Sequence, residues 1–537
     1  MKRQALGVVL DGSLSEGLNV RLNGEVSPEE IRVGSFVVIE GMKSDYFSIV
    51  TDITLGKVSD DVLLLPPEGE LAKRVTAGAL TFVMLKVAPL LSVGKNGEKK
   101  PVKSLPLHFA TLAAATAEDF ANVFGAEDAS HFNIGSPLEL TDTPVCLDLK
   151  AFVERSNGVF GKSGTGKSFL TRLLLAGVIK SNLASVLVFD LHNEYGWSSH
   201  SEGHAEVKGL RQLFGQKLRI FSLDMESSKD RGVEPDAYVE IGFEDITTED
   251  ILLLADELNL PQAAGETAAL LQRKYGKGWI QALLDWDPAT MGDQAVFAGA
   301  DVRSVAALQR KLLRLTHLSF IKPGSTLKSI EELVEQIKQG KSVVLEFGRH
   351  RSTLAYLLVA NMVSQRIYDR WVGMAERYMA TKDAGERPRQ LMLVIEEAHN
   401  FLKPQVARQT IFGQIARELR KYFVTLLVVD QRPSEIDREV LSQIGTRVTA
   451  LLNDEEDIEA VFTGVAGRSL LRTVLSTLDS KQQALLLGHA LPLPVVIQTR
   501  PYDALFYKEI TGGASGVLAK DSSTLSALFP SDALQNQ

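Results

Sequence analysis

The sequence has almost no cysteine: Cys146 is the only one in 537 residues. One cysteine cannot form a disulfide within the chain, and it leaves no partner for a metal site built on cysteines. The sequence also has no apolar run of about 18 residues, and its first residues alternate like a strand, so we expect neither a transmembrane helix nor a cleaved signal. These absences predict a cytoplasmic protein with no membrane contact.

Positive charge is also in deficit. The chain has 58 Lys and Arg against 67 Asp and Glu, which gives a net charge of -9. This balance argues against a protein coated with basic surface for nonspecific nucleic-acid binding, although it leaves room for a local basic channel. The apolar fraction of 45% is ordinary for a globular protein. The length predicts about two to four domains.

A nucleotide-binding motif is present at residues 161–168, where GKSGTGKS fits G-x-x-x-x-G-K-[ST] between an apolar stretch and a helical run. Glycines let backbone N–H groups close around phosphates, the lysine reaches the β and γ oxygens, and the serine hydroxyl serves Mg²⁺. A glycine-rich helix cap would not require Lys followed by Ser. The predicted nucleotide-binding residues are Gly161, Ser163, Gly164, Thr165, Gly166, Lys167, Ser168 and Phe169.

The first hundred residues read as short strands separated by tight turns. Asp11-Gly12 and Asn23-Gly24 lie between alternating apolar runs, a pattern typical of hairpins. Several such runs at short spacing predict a small β-barrel. The predicted strands are Leu6–Leu10, Asn19–Leu22, Ser35–Glu40, Phe47–Ile53, Val62–Leu65 and Ala79–Val87, with an exposed loop at 94–101.

From about residue 150, near-continuous apolar runs alternate with helical segments. Such runs indicate strands covered by helices on both faces, as in a parallel sheet. Between about 245 and 325 the strand pattern disappears, and Thr247 or Thr248 is placed to cap a helix. The predicted core strands are Asn157–Phe160, Ser185–Asp190, Leu218–Leu223, Ser342–Phe347, Leu391–Ile395, Val424–Asp430 and Arg447–Leu452.

The predicted fold class is therefore α/β, with a nucleotide-binding core, an N-terminal small β-barrel, a helical insertion and a C-terminal tail. In the tail, Val517, Leu518, Leu525, Leu528 and Phe529 offer apolar side chains for docking on a neighbouring subunit as a brace. The predicted division is 1–100 barrel, 101–150 connecting segment, 151–245 first part of the core, 246–325 helical insertion, 326–500 second part of the core, and 501–537 tail.

Two carboxylates end one of the predicted core strands. Glu396 and Glu397 directly follow the apolar run Leu391–Ile395. At such a position one carboxylate supports Mg²⁺ with its waters, and the next faces a water in line with the γ-phosphate. We assign metal support to Glu396, together with Ser168, and water activation to Glu397. The alternative is a pair of solvated charges at a strand end.

Two further segments supply candidates for the same hydrolytic site. Gln431 follows another buried strand, and its amide can contact both the γ-phosphate and the attacking water; an ordinary polar residue at a strand end is the alternative. Arg417 and Arg420 are three residues apart and share a predicted helix face. One of them is a candidate arginine finger for a neighbouring subunit's nucleotide. A surface or DNA-facing role is the alternative for both.

In their order along the chain, these segments resemble HerA, a DNA-translocating ATPase family of the FtsK-HerA superfamily. The resemblance covers most of the chain: residues 7–14 and the strands after them resemble the HAS-barrel, and the segments 161–168, 396–401, 420–421 and 431–434 follow in the family's order. It implies a RecA-like core, a homohexamer around double-stranded DNA, and ATP and Mg²⁺ as cofactors. It also favours Arg420 over Arg417 as the finger and places Glu194 near the site.

The resemblance further implies an effector protein docked on the barrel face, such as a NurA-like nuclease, a sirtuin-like NADase or another nuclease. The predicted function is an ATP-driven ring-shaped DNA translocase or helicase in DNA repair or antiphage defence. A nucleotide-dependent scaffold that regulates an effector is the alternative, and a type IV secretion-like ATPase is disfavoured because no membrane anchor is visible. The family commonly has glycine where this chain has Phe423, so we expect the local backbone to differ. Lys403 and Arg408 are candidate channel contacts.

Overall fold

The N-terminal part of the chain forms a closed antiparallel barrel. The computed structural model describes residues 3–57, 81–138, 140–200, 206–287, 300–324, 328–405, 407, 410–465, 468–479 and 482–512. The barrel strands are β1 (Ala5–Ser13), β2 (Gly17–Leu22), β3 (Phe36–Glu40), β4 (Ser44–Lys57), β5 (Thr81–Gly94), β6 (Lys99–Pro101) and β7 (Thr111–Ala114). Their order is β2-β1-β7-β3-β4-β5-β6, and β2 also pairs with β5, which closes the sheet.

Apolar side chains at alternating positions of these strands fill the interior of the barrel. Val20, Ile39, Val50, Leu85 and Leu112 belong to one buried cluster inside it. The predicted barrel is confirmed, while the predicted strand at 62–65 lies outside the described residues. The last three residues of the loop predicted at 94–101 form the strand β6 instead. One barrel strand, β7, comes from the predicted connecting segment and lies between β1 and β3.

The core is built on a second, twelve-stranded sheet. Its strands and the short strands around it are β8 (His131–Ser136), β9 (Val145–Asp148), β10 (Asn157–Phe160), β11 (Ser185–Asp190), β12 (Ser199–His200), β13 (Glu206–Val207), β14 (Leu218–Ser222), β15 (Ala237–Tyr238), β16 (Ile241–Gly242), β17 (Ile321–Lys322), β18 (Ser342–Glu346), β19 (Leu391–Glu396), β20 (Val424–Asp430), β21 (Thr446–Thr449), β22 (Gln483–Gly488) and β23 (Val495–Thr499). The order in the large sheet is β15-β14-β18-β11-β19-β20-β10-β21-β22-β23-β8-β9.

Helices cover both faces of this sheet, and further helices lie in the segment between β16 and β17. They are α1 (Ala117–Phe124), α2 (Leu149–Val153), α3 (Lys167–Ser181), α4 (Leu210–Phe214), α5 (Met225–Asp230), α6 (Thr248–Leu253), α7 (Ala255–Leu258), α8 (Ala264–Tyr275), α9 (Trp279–Leu284), α10 (Val302–Leu312), α11 (Lys328–Lys338), α12 (Thr353–Thr381), α13 (His399–Leu402), α14 (Ile411–Glu418), α15 (Arg438–Gln443), α16 (Glu455–Val461), α17 (Arg468–Ser476) and α18 (Ala504–Ile510). None of the helices in the described ranges combines the length and apolar character needed to cross a membrane.

The seven neighbouring strands β14-β18-β11-β19-β20-β10-β21 run parallel, so their carboxyl ends meet at one edge of the sheet. All seven predicted core strands are present, the last of them as β21. The antiparallel extension β22-β23-β8-β9 was not predicted. The α/β fold class is confirmed, and the carboxyl edge is where open parallel sheets bind ligands.

The segment predicted as a helical insertion contains α6 to α10. Thr247 caps α6 in a reciprocal pair of hydrogen bonds with Asp250, as its position predicted. Trp279 is fully buried and donates its indole N–H to the carbonyl of Ile246 at 3.2 Å. In the predicted tail, α18 is described, but the five apolar residues from 517 to 529 lie outside the described residues. The limits of the domains stay predictions.

Candidate active site

The phosphate loop joins the end of β10 to the start of α3. Gly161, Gly164 and Gly166 have φ of 154°, 79° and 91°, values that side-chain-bearing residues rarely adopt. A Cβ on Gly161 would also lie 2.8 Å from the Thr165 hydroxyl oxygen and 2.9 Å from the Ala450 Cβ, which is too close. The Thr165 hydroxyl donates to the Lys162 carbonyl at 2.8 Å. The loop is therefore a compact turn of the kind whose backbone N–H groups surround a phosphate.

Lys167 is half-buried at the first position of α3. Burial lowers the pKa of its ammonium group, and the nearby negative charges of Glu397, Asp430, Glu396 and Glu194 oppose that shift. These four carboxylates lie at or just after the carboxyl ends of three neighbouring strands, β11, β19 and β20. The structure thus brings the predicted lysine together with both predicted glutamates.

Glu396 is the last residue of β19, and its side chain is buried. Tyr195 donates its hydroxyl to Oε1 at 2.7 Å, and the Tyr356 hydroxyl donates to the Glu396 backbone carbonyl at 2.9 Å. Within the described part of the chain, the buried Oε2 has no hydrogen-bond partner. Burial and the charge of Asp190 raise the pKa of Glu396 to about 8. A bound cation would satisfy this oxygen, so the donor set fits Mg²⁺ support.

Asp190 ends the neighbouring strand β11 and is fully buried. It accepts hydrogen bonds from the backbone N–H groups of Glu194 at 2.8 Å and Tyr195 at 2.9 Å. Burial and the nearby Glu346 raise the pKa of Asp190 to about 7. Asp190 therefore fixes the turn that carries Tyr195 towards Glu396. Glu194 lies in the site's surroundings, as the family resemblance implied.

Glu397 adopts an unusual backbone conformation, with φ of 45°. A non-glycine residue in this region costs of order 1–3 kcal/mol and persists only where the surroundings hold it, commonly at functional sites. Here the Gln431 amide donates to Glu397 Oε1 at 3.0 Å. The structure thus joins the two residues that the sequence proposed for water activation and γ-phosphate sensing.

His399 and Asp430 are hydrogen-bonded to each other next to Glu397. The His399 backbone N–H donates to Asp430 Oδ2 at 2.7 Å, and its ring Nδ1 lies 3.0 Å from the same oxygen. The hydrogen bond to Asp430 raises the pKa of His399. Ligand atoms of Glu397, His399 and Asp430 lie within 4.8 Å of one another. We interpret them as a hydrogen-bonded network, because Nδ1 already faces the Asp430 carboxylate.

Asp430 and Tyr356 are site residues that sequence reasoning missed, and Tyr195 was noted only beside Glu194 in the family resemblance. Asp430 carried a signal, since it is an acid at the end of a buried strand immediately before Gln431. Tyr356 carried none, because it lies 40 residues before the glutamate that it contacts.

The two candidate arginines lie at the other end of β20. Arg420 is exposed and lies four residues before Val424, whereas Arg417 is half-buried in α14. The Nη1 atom of Arg417 is buried without a hydrogen-bond partner in the described residues. The seven residues of β20 span roughly 20 Å and separate Arg420 from Gln431. Arg420 is therefore remote from the phosphate loop of its own chain.

Charges of both signs lie around Arg420. Burial lowers the pKa of His489, the positive charges of Arg155 and Arg420 lower it further, and the negative charges of Glu154 and Asp148 oppose that shift. Arg420 thus lies among mixed charges at the amino edge of the sheet, whereas carboxylates gather around Lys167 at the opposite edge.

Phe423, where the family commonly has glycine, has φ of 64°. This is the left-handed conformation that glycine favours, and the expectation of a different local backbone stays a prediction. Contacts of the aromatic ring offset the strain: it lies 5.9 Å from the Tyr378 ring, and the Arg387 guanidinium lies 5.2 Å from its centroid. Of the candidate channel contacts, Lys403 pairs with Glu435 at 3.8 Å, and Arg408 lies outside the described residues.

Comparison with known families matches both parts of the molecule. Residues 6–102 match the HAS barrel domain, and residues 132–367 match the family described as Helicase HerA, central domain. The chain belongs to the HerA family. The HerA central-domain match contains Lys167 and Asp190 but ends at Ile367, before Glu396 and Gln431. The roles of those later residues rest on the geometry.

Individual relatives extend the likeness along the chain. A DNA double-strand break repair helicase HerA from Pyrococcus furiosus is 22% identical over 462 residues, covering 80% of each chain. The protein of the same name from Saccharolobus solfataricus is 23% identical, covering 87% of each chain. Among solved structures, the bacterial conjugative coupling protein TrwB matches 72% of this chain and 92% of its own, with 13% identity and a TM-score of 0.46.

Proposed function

We propose that this HerA family member is an ATP-driven DNA translocase or helicase that works as a homohexameric ring around double-stranded DNA. One observation carries the proposal: the phosphate loop with its carboxylates and the exposed Arg420 lie at opposite edges of the same sheet. A ring of identical subunits joins unlike faces of neighbouring copies. The arginine that one chain holds away from its own loop is then available to the next chain's nucleotide.

Each site residue has a defined task in this proposal. The loop and Lys167 bind the phosphates, while Ser168 and Glu396 hold Mg²⁺. When bound, Mg·ATP supplies the phosphoryl group that is transferred to water. Glu397 accepts the water proton, and Gln431 fixes the carboxylate that does so. A neighbour's Arg420 stabilises the charge that develops on the transferred group.

Double-stranded DNA is the proposed substrate because the matched relatives are named DNA double-strand break repair helicases. The experiment measures ATP turnover with and without linear duplex DNA, and release of a third strand from a triplex by the purified ring. We expect DNA to stimulate turnover and ATP to be required for strand release. If neither occurs while ATP still binds, a nucleotide-dependent scaffold replaces the motor.

We also propose that an effector protein, such as a nuclease or NADase, docks on the barrel. Supporting this, the barrel exposes large apolar side chains: Met42 is 83% exposed, Leu107 64% and Phe109 73%. Native mass measurement of the ring with the product of a neighbouring gene tests it. We expect Leu107→Glu to abolish a mixed particle that Leu505→Glu, an exposed residue of α18, retains. Equal binding by both variants would contradict the barrel as the docking face.

A further inference from the structure

Phe169 is an exposed aromatic residue on an otherwise buried helix. It directly follows Ser168, and its side chain is 40% exposed. Every residue of α3 from Leu170 to Ile179 is buried. Phe169 therefore offers exposed apolar surface beside the phosphate loop.

Two neighbours hold the Phe169 ring in place. The Tyr502 ring lies 6.4 Å away at an interplanar angle of 63°, and the Arg172 guanidinium lies 5.5 Å from the Phe169 centroid over the ring. Arg172 is three residues along the helix and shares its face. One face of the ring lies towards Arg172, the Tyr502 ring lies beside it at a steep angle, and the exposed part of the ring is open to a ligand.

Tyr502 is itself fixed, so the support is rigid. Its hydroxyl donates to the Lys208 carbonyl at 3.1 Å. Its ring lies 5.0 Å from that of Phe506 and 5.2 Å from that of Tyr507, both of which are buried residues of α18. The segment after β23 thereby builds an aromatic wall beside the first turn of α3.

We propose that Phe169, held by Tyr502 and Arg172, is the platform on which the base of the bound nucleotide stacks. This inference rests on the proposed nucleotide site at 161–168. A triphosphate seated in that loop directs its nucleoside away from Lys167, and adjacent Cα atoms place Phe169 only about 3.8 Å along the chain from Ser168. Stacking on an aromatic face tolerates different bases. We therefore expect the site to require a base but to distinguish little between one base and another.

The experiment compares ligands with and without a base. Calorimetry on the full chain measures the affinity of wild type and Phe169→Ala for ATP, GTP and inorganic tripolyphosphate. Base–aromatic stacking corresponds to a change of about 5- to 100-fold, or about 1–3 kcal/mol at 1.4 kcal/mol per tenfold. We expect both nucleotides to lose that much affinity in the variant and tripolyphosphate to change less than about twofold.

Two conservative variants distinguish stacking on the aromatic ring of Phe169 from simple filling of space by its side chain. Phe169→Tyr keeps the aromatic face and is expected to bind ATP like wild type, whereas Phe169→Leu keeps apolar volume and is expected to lose affinity like Phe169→Ala. Leu252→Ala removes a 45% exposed apolar side chain from α6, outside the proposed nucleotide and docking sites, and serves as the control. Its affinities for all three ligands should equal those of wild type.

The outcomes distinguish this inference from the function on which it rests. If wild type binds neither ATP nor tripolyphosphate, the nucleotide site itself is wrong, and the base platform falls with it. If wild type binds both, but Phe169→Ala weakens them equally or weakens neither, the platform alone is overturned. Loss of assembly in the variant with an unchanged ratio of the two affinities would instead assign Phe169 to a contact between subunits.

Discussion

The two edges of the core sheet differ in charge and in burial. At the carboxyl edge, Glu396 and Asp430 are buried and lie near Lys167. At the amino edge, Arg420 is exposed and lies among charges of both signs. The carboxyl edge has the groups proposed to hold Mg²⁺ and to activate water, and the amino edge presents an exposed arginine far from the phosphate loop of its own chain. The contrast supports the proposed hydrolytic site that two copies of the chain complete.

The largest effect is expected from removing the cation of the carboxyl edge. Lys167→Ala should weaken ATP binding by about 100-fold or more and abolish turnover, because the ammonium group is the phosphate contact among four carboxylates. Calorimetry and a phosphate-release assay measure both quantities. Lys162→Ala, in the same loop, is the control and should retain binding. Tight ATP binding by Lys167→Ala would remove the carboxyl edge as the nucleotide site.

At the amino edge, Arg420→Ala should lower ATP turnover by about a thousandfold with little change in ATP affinity, as expected for an arginine finger. Lys421→Ala removes the adjacent exposed cation and should have a small effect. Arg417→Ala, at a half-buried position, should lower the thermal midpoint more than the turnover. If Arg417→Ala stalls turnover and Arg420→Ala does not, the finger is Arg417.

Glu397→Gln tests which carboxylate of the carboxyl edge activates water. The amide cannot accept the proton from water, so turnover should fall by about 10² to 10⁴ while ATP still binds. Rapid-quench measurement of a single turnover separates hydrolysis from binding. Gln431→Ala, which removes the 3.0 Å contact to Glu397, is expected to produce a smaller loss. Unimpaired hydrolysis by Glu397→Gln would remove this residue from its role.

The smallest effect concerns stability. Because the folded-state pKa of Glu396 is raised from 4.5 to about 8, the folded chain holds a proton between those values that the unfolded chain has lost, so stability falls as the pH rises through this window. Glu396→Gln has no such proton and should stabilise the nucleotide-free chain by about 1–3 kcal/mol at pH 8.5. Thermal midpoints at pH 5.5 and 8.5 without Mg²⁺ measure it.

The pKa of Asp190 is also raised, to about 7. The stability of the Glu396→Gln variant should therefore still fall as the pH rises, but by less than that of wild type. A midpoint that falls by the same amount between the two pH values in both proteins would show that Glu396 is already ionised in the folded chain.

The parallel strands could be predicted because burial on both faces leaves continuous apolar runs such as Leu391–Ile395. The short strand β7, Thr111–Ala114, gives no such pattern, since four residues with two alanines fit many structures. The contact of Glu397 with Gln431 followed from two parallel strands ending at one edge. The hydrogen bond from Tyr195 to Glu396 depends on packing between distant segments, which no local pattern records.

The central claim, one site shared by two subunits, is tested most directly by mixing two inactive variants. Lys167→Ala keeps the finger and Arg420→Ala keeps the loop, so a ring containing both has some sites with an intact loop beside an intact arginine. At random mixing about a quarter of the sites are restored. We predict that purified mixed rings regain about a quarter of wild-type ATP turnover. Mixed rings as inactive as either variant alone would contradict the shared site.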